Sequence, residues 1–268
     1  MSLPLPDVNS FGSYAANEQY NNDFVQRTWP LDPAGNSYRG IRDQAAGVSG
    51  VADLVWHGAN YAQPAYTNAY YKQNNFVQND WSDLIQLLGV LNGVAPYTTP
   101  ATYAADVQKV MNVDQWMRYM AVNTLLDNDE TCLANGIGDD YALYRGMVDP
   151  RFIPLPYDLD TVMGRGLTPT PPGHSLFRMT ALAAMDRFMK SPEFAPRYFY
   201  WLRQMADTTF APAEMNPLIE QLLAGWVPRA NIDNMKAFNA AQRSAVLALI
   251  PETLTVESSL PLDRKSVV

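Results

Sequence analysis

The chain has 268 residues, of which 47% are hydrophobic and 12% aromatic, so it can bury a full core and is no disordered acidic tail. Its net charge of −8 argues against nucleic acid or an anionic membrane as the main partner. One cysteine and two histidines exclude an internal disulfide, a cysteine-rich zinc site and a histidine-based metal cluster. No apolar run approaches the ~20 residues that span a bilayer.

The first half of the chain predicts few long elements. Residues 1–50 are rich in turn formers, which indicates loop with short extended pieces. Residues 51–56 and 66–72 are typical of short strands. A helix is predicted to begin at Asp80 or Ser82, to carry leucines at helical spacing and to stop at residues 92–93, an Asn-Gly pair.

The second half is mostly helical, apart from one hairpin. Apolar residues at i, i+3 and i+4 predict a helix over residues 113–126. Residues 141–145 and 151–157 read as two strands joined by a five-residue loop. Further helices are predicted in the ranges 176–190, from a Ser-Pro-Glu cap at 191–193, from Pro212, and 229–250. The fold class is therefore α+β, with segments 1–50 (irregular), 51–250 (main domain) and 251–268 (tail).

Acidic side chains concentrate in residues 127–160, which hold eight acids against two arginines. If the hairpin turns near Val148 and Asp149, paired residue numbers sum to about 298, and Asp140 lies opposite Asp158. Like charges directly across an antiparallel pair repel, so such a pair needs a cation, a raised pKa or an arginine. Oxygen ligands without histidine favour Mg²⁺, Mn²⁺ or Ca²⁺.

Solvated turn residues are the alternative interpretation of these acids, and a register slip of one residue would place the two carboxylates on opposite faces. The apolar run at 152–157 favours a functional role, because an aspartate at the end of a buried strand is costly unless it is paired or bound to metal.

Several of these segments together resemble the spore coat protein H (CotH) kinase family, over roughly residues 18–250. The strongest are NTLLDND at 123–129, DYALYR at 140–145, and FIPLPYDLD at 152–160 followed by Gly164. Weaker similarities lie in residues 52–58, 66–75, 80–84 and 176–250. The family shows an Asn-Asp turn after a helix, an Asn-Tyr-Tyr-Leu-Tyr-like strand and a Pro-Trp-Asp-Leu-Asp-like strand end.

The resemblance implies a mostly helical, protein-kinase-like C-terminal lobe that uses ATP and Mg²⁺ or Mn²⁺ to phosphorylate protein Ser/Thr hydroxyls. By carry-over, Asp129 is the catalytic aspartate that orients or deprotonates the acceptor hydroxyl. Asp158 holds the metal, Asp160 is a second candidate ligand, and Asp140 is a third. The resemblance also suggests a spore coat, cell-surface or secreted setting.

The chain departs from the family pattern in two places. Asp140 stands where the family strand begins with asparagine, which adds negative charge near the phosphates. The residues before Glu18 contain no Gly-rich loop and no lysine, so we expect the nucleotide-binding N-terminal lobe to be missing from this chain. Both departures support an alternative function, an inactive kinase-like binding or structural module. A calcium-stabilised carbohydrate-binding domain is a third possibility, supported by composition alone.

Other reactive side chains leave alternatives open. Lys72, the first lysine, either reaches a phosphate or pairs with a surface carboxylate. His174 either touches substrate or is an ordinary loop residue, and His57 is expected to be structural. Residues 164–166, Gly-Arg-Gly, are either a phosphate-contacting turn or a plain loop. Cys132 has no base near it in sequence, which favours a structural thiol.

Overall fold

A computed structural model describes residues 18–43, 50–128, 131–136, 139–165 and 171–252. The fold is α+β, which confirms the predicted class, with most of the helices on one side of a small antiparallel sheet and α1 on the other. The helices are α1 (Asn22–Thr28), α2 (Pro64–Thr67), α3 (Ser82–Leu91), α4 (Tyr103–Val110), α5 (Val113–Leu126), α6 (Cys132–Asn135), α7 (Ala183–Met189), α8 (Ala195–Asp207), α9 (Pro212–Leu223) and α10 (Arg229–Leu249). The strands are β1 (Asn36–Gly40), β2 (Arg42–Asp43), β3 (Gly50–Val51), β4 (Tyr70–Lys72), β5 (Tyr141–Arg145) and β6 (Ile153–Pro156). A 3₁₀ turn spans Arg178–Thr180.

The main sheet has the order β4-β1-β5-β6, and each neighbouring pair is antiparallel. One of its two inner strands, β1, comes from the N-terminal segment, for which the sequence predicted loop with short extended pieces. Tyr38 of β1 is fully buried, and α1 precedes this strand. Three of its five residues are buried and two are half-buried, without regular alternation, so the strand lacks the pattern of apolar and polar residues that marks a half-buried strand.

The two faces of the sheet contact different cores. The inner face packs on the main helical core, in which Trp116 of α5 and Phe152 before β6 are almost fully buried. The outer face packs on α1 and on Trp29, the residue that follows it, which stacks on Tyr144 with ring centroids 4.2 Å apart. The predicted irregular segment therefore supplies a structural layer.

The hairpin of β5 and β6 is confirmed, but its register differs from the prediction. Tyr141 pairs with Pro156, so paired numbers sum to 297 and Asp140 is level with Tyr157 rather than Asp158. The predicted Asp140–Asp158 pair is wrong. The turn itself lies where the sequence predicted it, between residues 148 and 149, but a turn centred there gives a sum of 297, one less than the predicted value. The Asp32 carboxylate holds this turn by accepting hydrogen bonds from the amides of residues 147–149, at 2.8, 2.9 and 3.0 Å.

The strongly periodic helices α3, α5, α9 and α10 lie where predicted. The strand predicted over 51–56 is wrong, because only Gly50–Val51 pairs and Leu54 adopts a positive φ of 56° to enter the core. The range 66–72 divides between α2 and β4. The cap predicted at 191–193 is also wrong: α8 begins later, at Ala195, after the buried Phe194. No helix in the described part of the chain is long and apolar enough to cross a membrane.

Candidate functional site

Two acidic segments meet beside the C-terminal end of α5. The amide of Met163 donates to the carbonyl of Leu126 over 2.6 Å, and the Thr161 hydroxyl donates to the Asn128 side-chain oxygen over 3.5 Å. Residues 126–128 lead into Asp129. Thr161 and Met163 come directly after Asp158 and Asp160 in the chain. Residues more than 30 positions apart in sequence are therefore neighbours at one junction, which we call the acidic junction (residues 126–128 and 158–163).

The turn that leads to Asp129 is held by several contacts. Asp127 ends α5 in the left-handed region, with φ 56°, and its side chain is 2% exposed. Asn128 is fully buried, and it donates to Asn123 from both its amide, at 3.1 Å, and its side chain, at 2.8 Å. Asp129 itself lies outside the described residues, so its catalytic role stays a prediction.

The predicted metal ligands differ in their surroundings. Asp140 is buried, Asp158 is half-buried and Asp160 is exposed. Asp158 adopts a φ of 43°, a conformation that costs a non-glycine residue roughly 1–2 kcal/mol. Such backbone strain is concentrated at functional sites, where the surrounding structure enforces it.

These carboxylates do not form a complete cage. Among the described residues, no three Asp, Glu, His or Cys side chains are placed to hold one ion. The chemistry of the donor set nevertheless suits Mg²⁺, which binds through one or two carboxylates and keeps several waters. Asp158 and Asp160, both accessible to water, match that requirement.

A cleft of about 310 Å³ opens on the outer face of the sheet, next to the junction. Its floor includes Arg39 of β1, whose guanidinium lies 3.9 Å from the ring centroid of Tyr157, the residue before Asp158. The Arg39 Nε is buried without a hydrogen-bond partner, and no carboxylate of the described residues forms an ion pair with this side chain. Glu18, also in the cleft, pairs with Arg27 instead.

Sequence reasoning missed Arg39. Nothing in the run around it marks a site, because its position depends on strand pairing. Arg39 pairs with Tyr71 on one side and with Ala142 on the other. The cation Arg39 and the aromatic residues Tyr71 and Tyr157 of the cleft thus come from three distant parts of the chain, namely β1, β4 and the end of β6.

Lys72 fits neither of its two predicted roles. The side chain is 3% exposed, and its Nζ donates to the Tyr38 hydroxyl at 2.9 Å and to the Asp80 carbonyl at 2.8 Å. Burial lowers the pKa of Lys72 to about 8, although Asp83 and Asp80 oppose the shift. Lys72 is therefore a buried residue whose hydrogen bonds connect β4 to the residues before α3.

The remaining candidates are also located. His174 is largely buried and contacts the Asp127 carboxylate, so it is not an ordinary loop histidine. His57 lies 3.9 Å from Asp53. Gly164 has a φ of 73° and Arg165 is exposed, whereas Gly166 falls outside the described residues. The side chain of Cys132 is likewise outside the described part.

Fold and site define the class: a mixed α+β protein in which two acidic segments converge beside a hairpin and an aromatic cleft. The family model described as CotH kinase protein matches residues 7–245 of the 268. The chain therefore belongs to the CotH kinase family, and the resemblance seen in the sequence is confirmed. No curated protein sequence matches the chain.

Proposed function

We propose that this protein is an atypical protein kinase of the CotH family, which transfers the γ-phosphoryl group of ATP to Ser or Thr hydroxyls of a protein. The observation that carries the proposal is the acidic junction. Phosphoryl transfer depends on positioning and charge neutralisation rather than covalent chemistry, so it needs acids from separate segments at one place. The bonds from Met163 to Leu126 and from Thr161 to Asn128 support the proposal, because they hold the segment that leads to Asp129 against the segment that follows Asp160.

The residues take the following roles in this proposal. Asp129 orients the acceptor hydroxyl and accepts its proton. Asp158 and Asp160 would hold Mg²⁺ or Mn²⁺, with Asp140 as a further candidate. When bound, the metal would neutralise charge on the phosphates. The strained backbone at Asp158 supports its place in the site.

The cleft beside Tyr157 suits a nucleotide. Its volume of about 310 Å³ lies at the lower end of the range for small-molecule pockets, roughly 300–1,000 Å³. Tyr157 and Tyr71 offer aromatic faces for a base, and Arg39 offers a guanidinium without a carboxylate partner, which suits phosphate. Because Asp158 directly follows Tyr157, a nucleotide here would have its phosphates near the proposed metal ligands.

The test is phosphate incorporation from labelled ATP into a Ser/Thr-rich protein such as casein, with Mn²⁺ present. We expect incorporation by the wild-type chain, a loss of at least about 10²-fold in Asp129→Ala and Asp158→Asn, and little change in Asp233→Asn, an exposed aspartate on α10. Equal incorporation by all four proteins would overturn the assignment. A folded wild-type chain that binds no nucleotide and transfers no phosphate would favour the alternative, an inactive kinase-like module, for which Asp140 is the specific argument.

A further inference from the structure

A cluster of three side chains, one fully and two partly buried, joins the residues before α7 to the end of α5. The Asp127 carboxylate contacts His174 Nε2 at 2.6 Å and accepts a hydrogen bond from Arg178 Nη1 through the same oxygen. Arg178 Nη1 also lies 2.9 Å from His174 Nε2. These contacts therefore hold residues 171–178 against the turn that precedes Asp129.

The contacts favour the Nε2-protonated tautomer of neutral His174. Nε2 lies against a carboxylate oxygen, which can only accept, and Arg178 Nη1 then directs its hydrogens to that oxygen rather than to Nε2. The other ring nitrogen, Nδ1, is buried and has no hydrogen-bond partner among the described residues. A proton added to Nδ1 would be unsatisfied, and a buried donor without a partner is costly. The neutral imidazole fits this position and the imidazolium does not.

The charges around His174 lead to the same conclusion. The single charge of Asp127 is already matched by Arg178, which stays protonated at all relevant pH values. Within the described ranges, the other elements packed here bring no further acid to His174: α10 contributes Gln242, which accepts from the amide of Gly173, and α8 contributes the phenol of Tyr198, whose pKa burial raises well above its ordinary value. Burial is the largest cause that lowers the pKa of His174; Asp127 opposes the shift, and Arg178 adds a smaller effect that lowers the pKa further.

We propose that Asp127, His174 and Arg178 form a pH-sensitive latch, which holds residues 171–178 on the turn before Asp129 at neutral pH and releases them in mild acid. The sign follows from linkage. A histidine whose pKa is lower in the closed state binds more protons in the open state, so the stability of the closed latch is complete above the ordinary value of about 6.5 and falls as the pH drops below it. The latch does not depend on phosphoryl transfer.

The chain has two histidines, so NMR can follow both imidazoles directly. Two variants, His57→Gln and His174→Gln, assign the signals. We expect the wild-type His174 to be the Nε2-protonated tautomer and to titrate below the ordinary histidine value of about 6.5. A His174 midpoint at or above that value, or the opposite tautomer, would overturn the proposal.

Hydrogen exchange tests the release itself. At pH 5.0 the wild type should lose protection of the Gly173 and Arg178 amides relative to pH 7.5, after correction for intrinsic exchange, while α9 keeps its protection. His174→Gln, whose amide can donate to Asp127 but does not titrate, should retain protection at both pH values. Unchanged wild-type protection, or equal loss in the variant, would contradict the latch. If His174→Gln fails to fold, the wild-type exchange and the His57→Gln titration decide the question.

Discussion

The amide of Met163 donates a hydrogen bond to the carbonyl of Leu126 over 2.6 Å. Leu126 is the last residue of α5, where a helix leaves its final carbonyls without intrahelical partners. The segment after β6 satisfies one of them, and Thr161 adds a second bond to Asn128. The end of one helix thus serves as the attachment point that brings the proposed metal ligands to the proposed catalytic turn.

Metal binding should depend on Asp158. At a Mg²⁺ or Mn²⁺ concentration tenfold above Kd, binding to the folded state alone stabilises a protein by about 1.4 kcal/mol, which corresponds to roughly 3–5 °C in Tm. We expect this rise in the wild type and its loss in Asp158→Asn, measured by thermal unfolding. Asp233→Asn should keep the wild-type shift. Absence of a shift in both the wild type and Asp158→Asn would remove the metal-site claim.

Nucleotide binding should depend on Arg39 and Tyr157. Removing a guanidinium that contacts phosphate typically costs about 1.5–3 kcal/mol, so Arg39→Gln should weaken ADP or ATP binding by roughly tenfold or more. Tyr157→Ala should also weaken binding, whereas Tyr157→Trp keeps an aromatic face and should not. Calorimetric titration measures each affinity. Tyr200→Ala, which removes an exposed aromatic ring from α8, is the matched control. Equal affinities in all these variants would place the nucleotide elsewhere.

The hairpin turn should depend on Asp32. Its carboxylate accepts three amide hydrogen bonds, and a bond to a charged group is worth about 1.5–3 kcal/mol, so Asp32→Ala should destabilise the fold by at least roughly 2 kcal/mol in urea unfolding. Asp32→Asn, which keeps an acceptor oxygen, should lose less. A cost within about 0.5 kcal/mol, typical of plain surface changes, would contradict this role.

The pH dependence of the Asp32 contribution has a definite sign. Burial acts to raise the pKa of Asp32, but the amides of residues 147–149 together lower it below its usual value. A carboxyl with a lowered pKa in the folded state contributes stability above its ordinary value of about 3.9, and this contribution is lost as the pH falls. The difference between the wild type and Asp32→Ala should therefore shrink below about pH 4.

Lys72 should make the stability of the fold depend on pH in the alkaline range. Its pKa of about 8 in the folded protein lies below the ordinary 10.5, so the unfolded chain binds more protons between these values and stability rises with pH. From pH 7 to 9 the wild type should gain roughly 1 kcal/mol relative to Lys72→Met. Urea unfolding at both pH values measures this difference. Lys109→Met, an exposed control on α4, should show no such gain.

Local patterns in the sequence were sufficient for much of the fold. The apolar spacing in residues 113–126 predicted α5 to the residue, and Pro212 marked the start of α9. In both cases the signal is contained in one segment, because a helix satisfies its own hydrogen bonds and shows one apolar stripe. The family, too, was recognisable from short motifs around α5 and the hairpin.

What the sequence alone determined was the class of fold, the family and the concentration of acids in residues 127–160. Only the tertiary structure decided which of those acids are neighbours, because the register of the hairpin depends on Asp32, more than a hundred positions away from the turn that it holds. The same is true of the cleft, where Arg39 meets Tyr157 through strand pairing, and of His174, which meets Asp127 through the packing of a loop on a helix end. Long-range contacts of this kind leave no periodic pattern in the chain, so they cannot be predicted from local sequence.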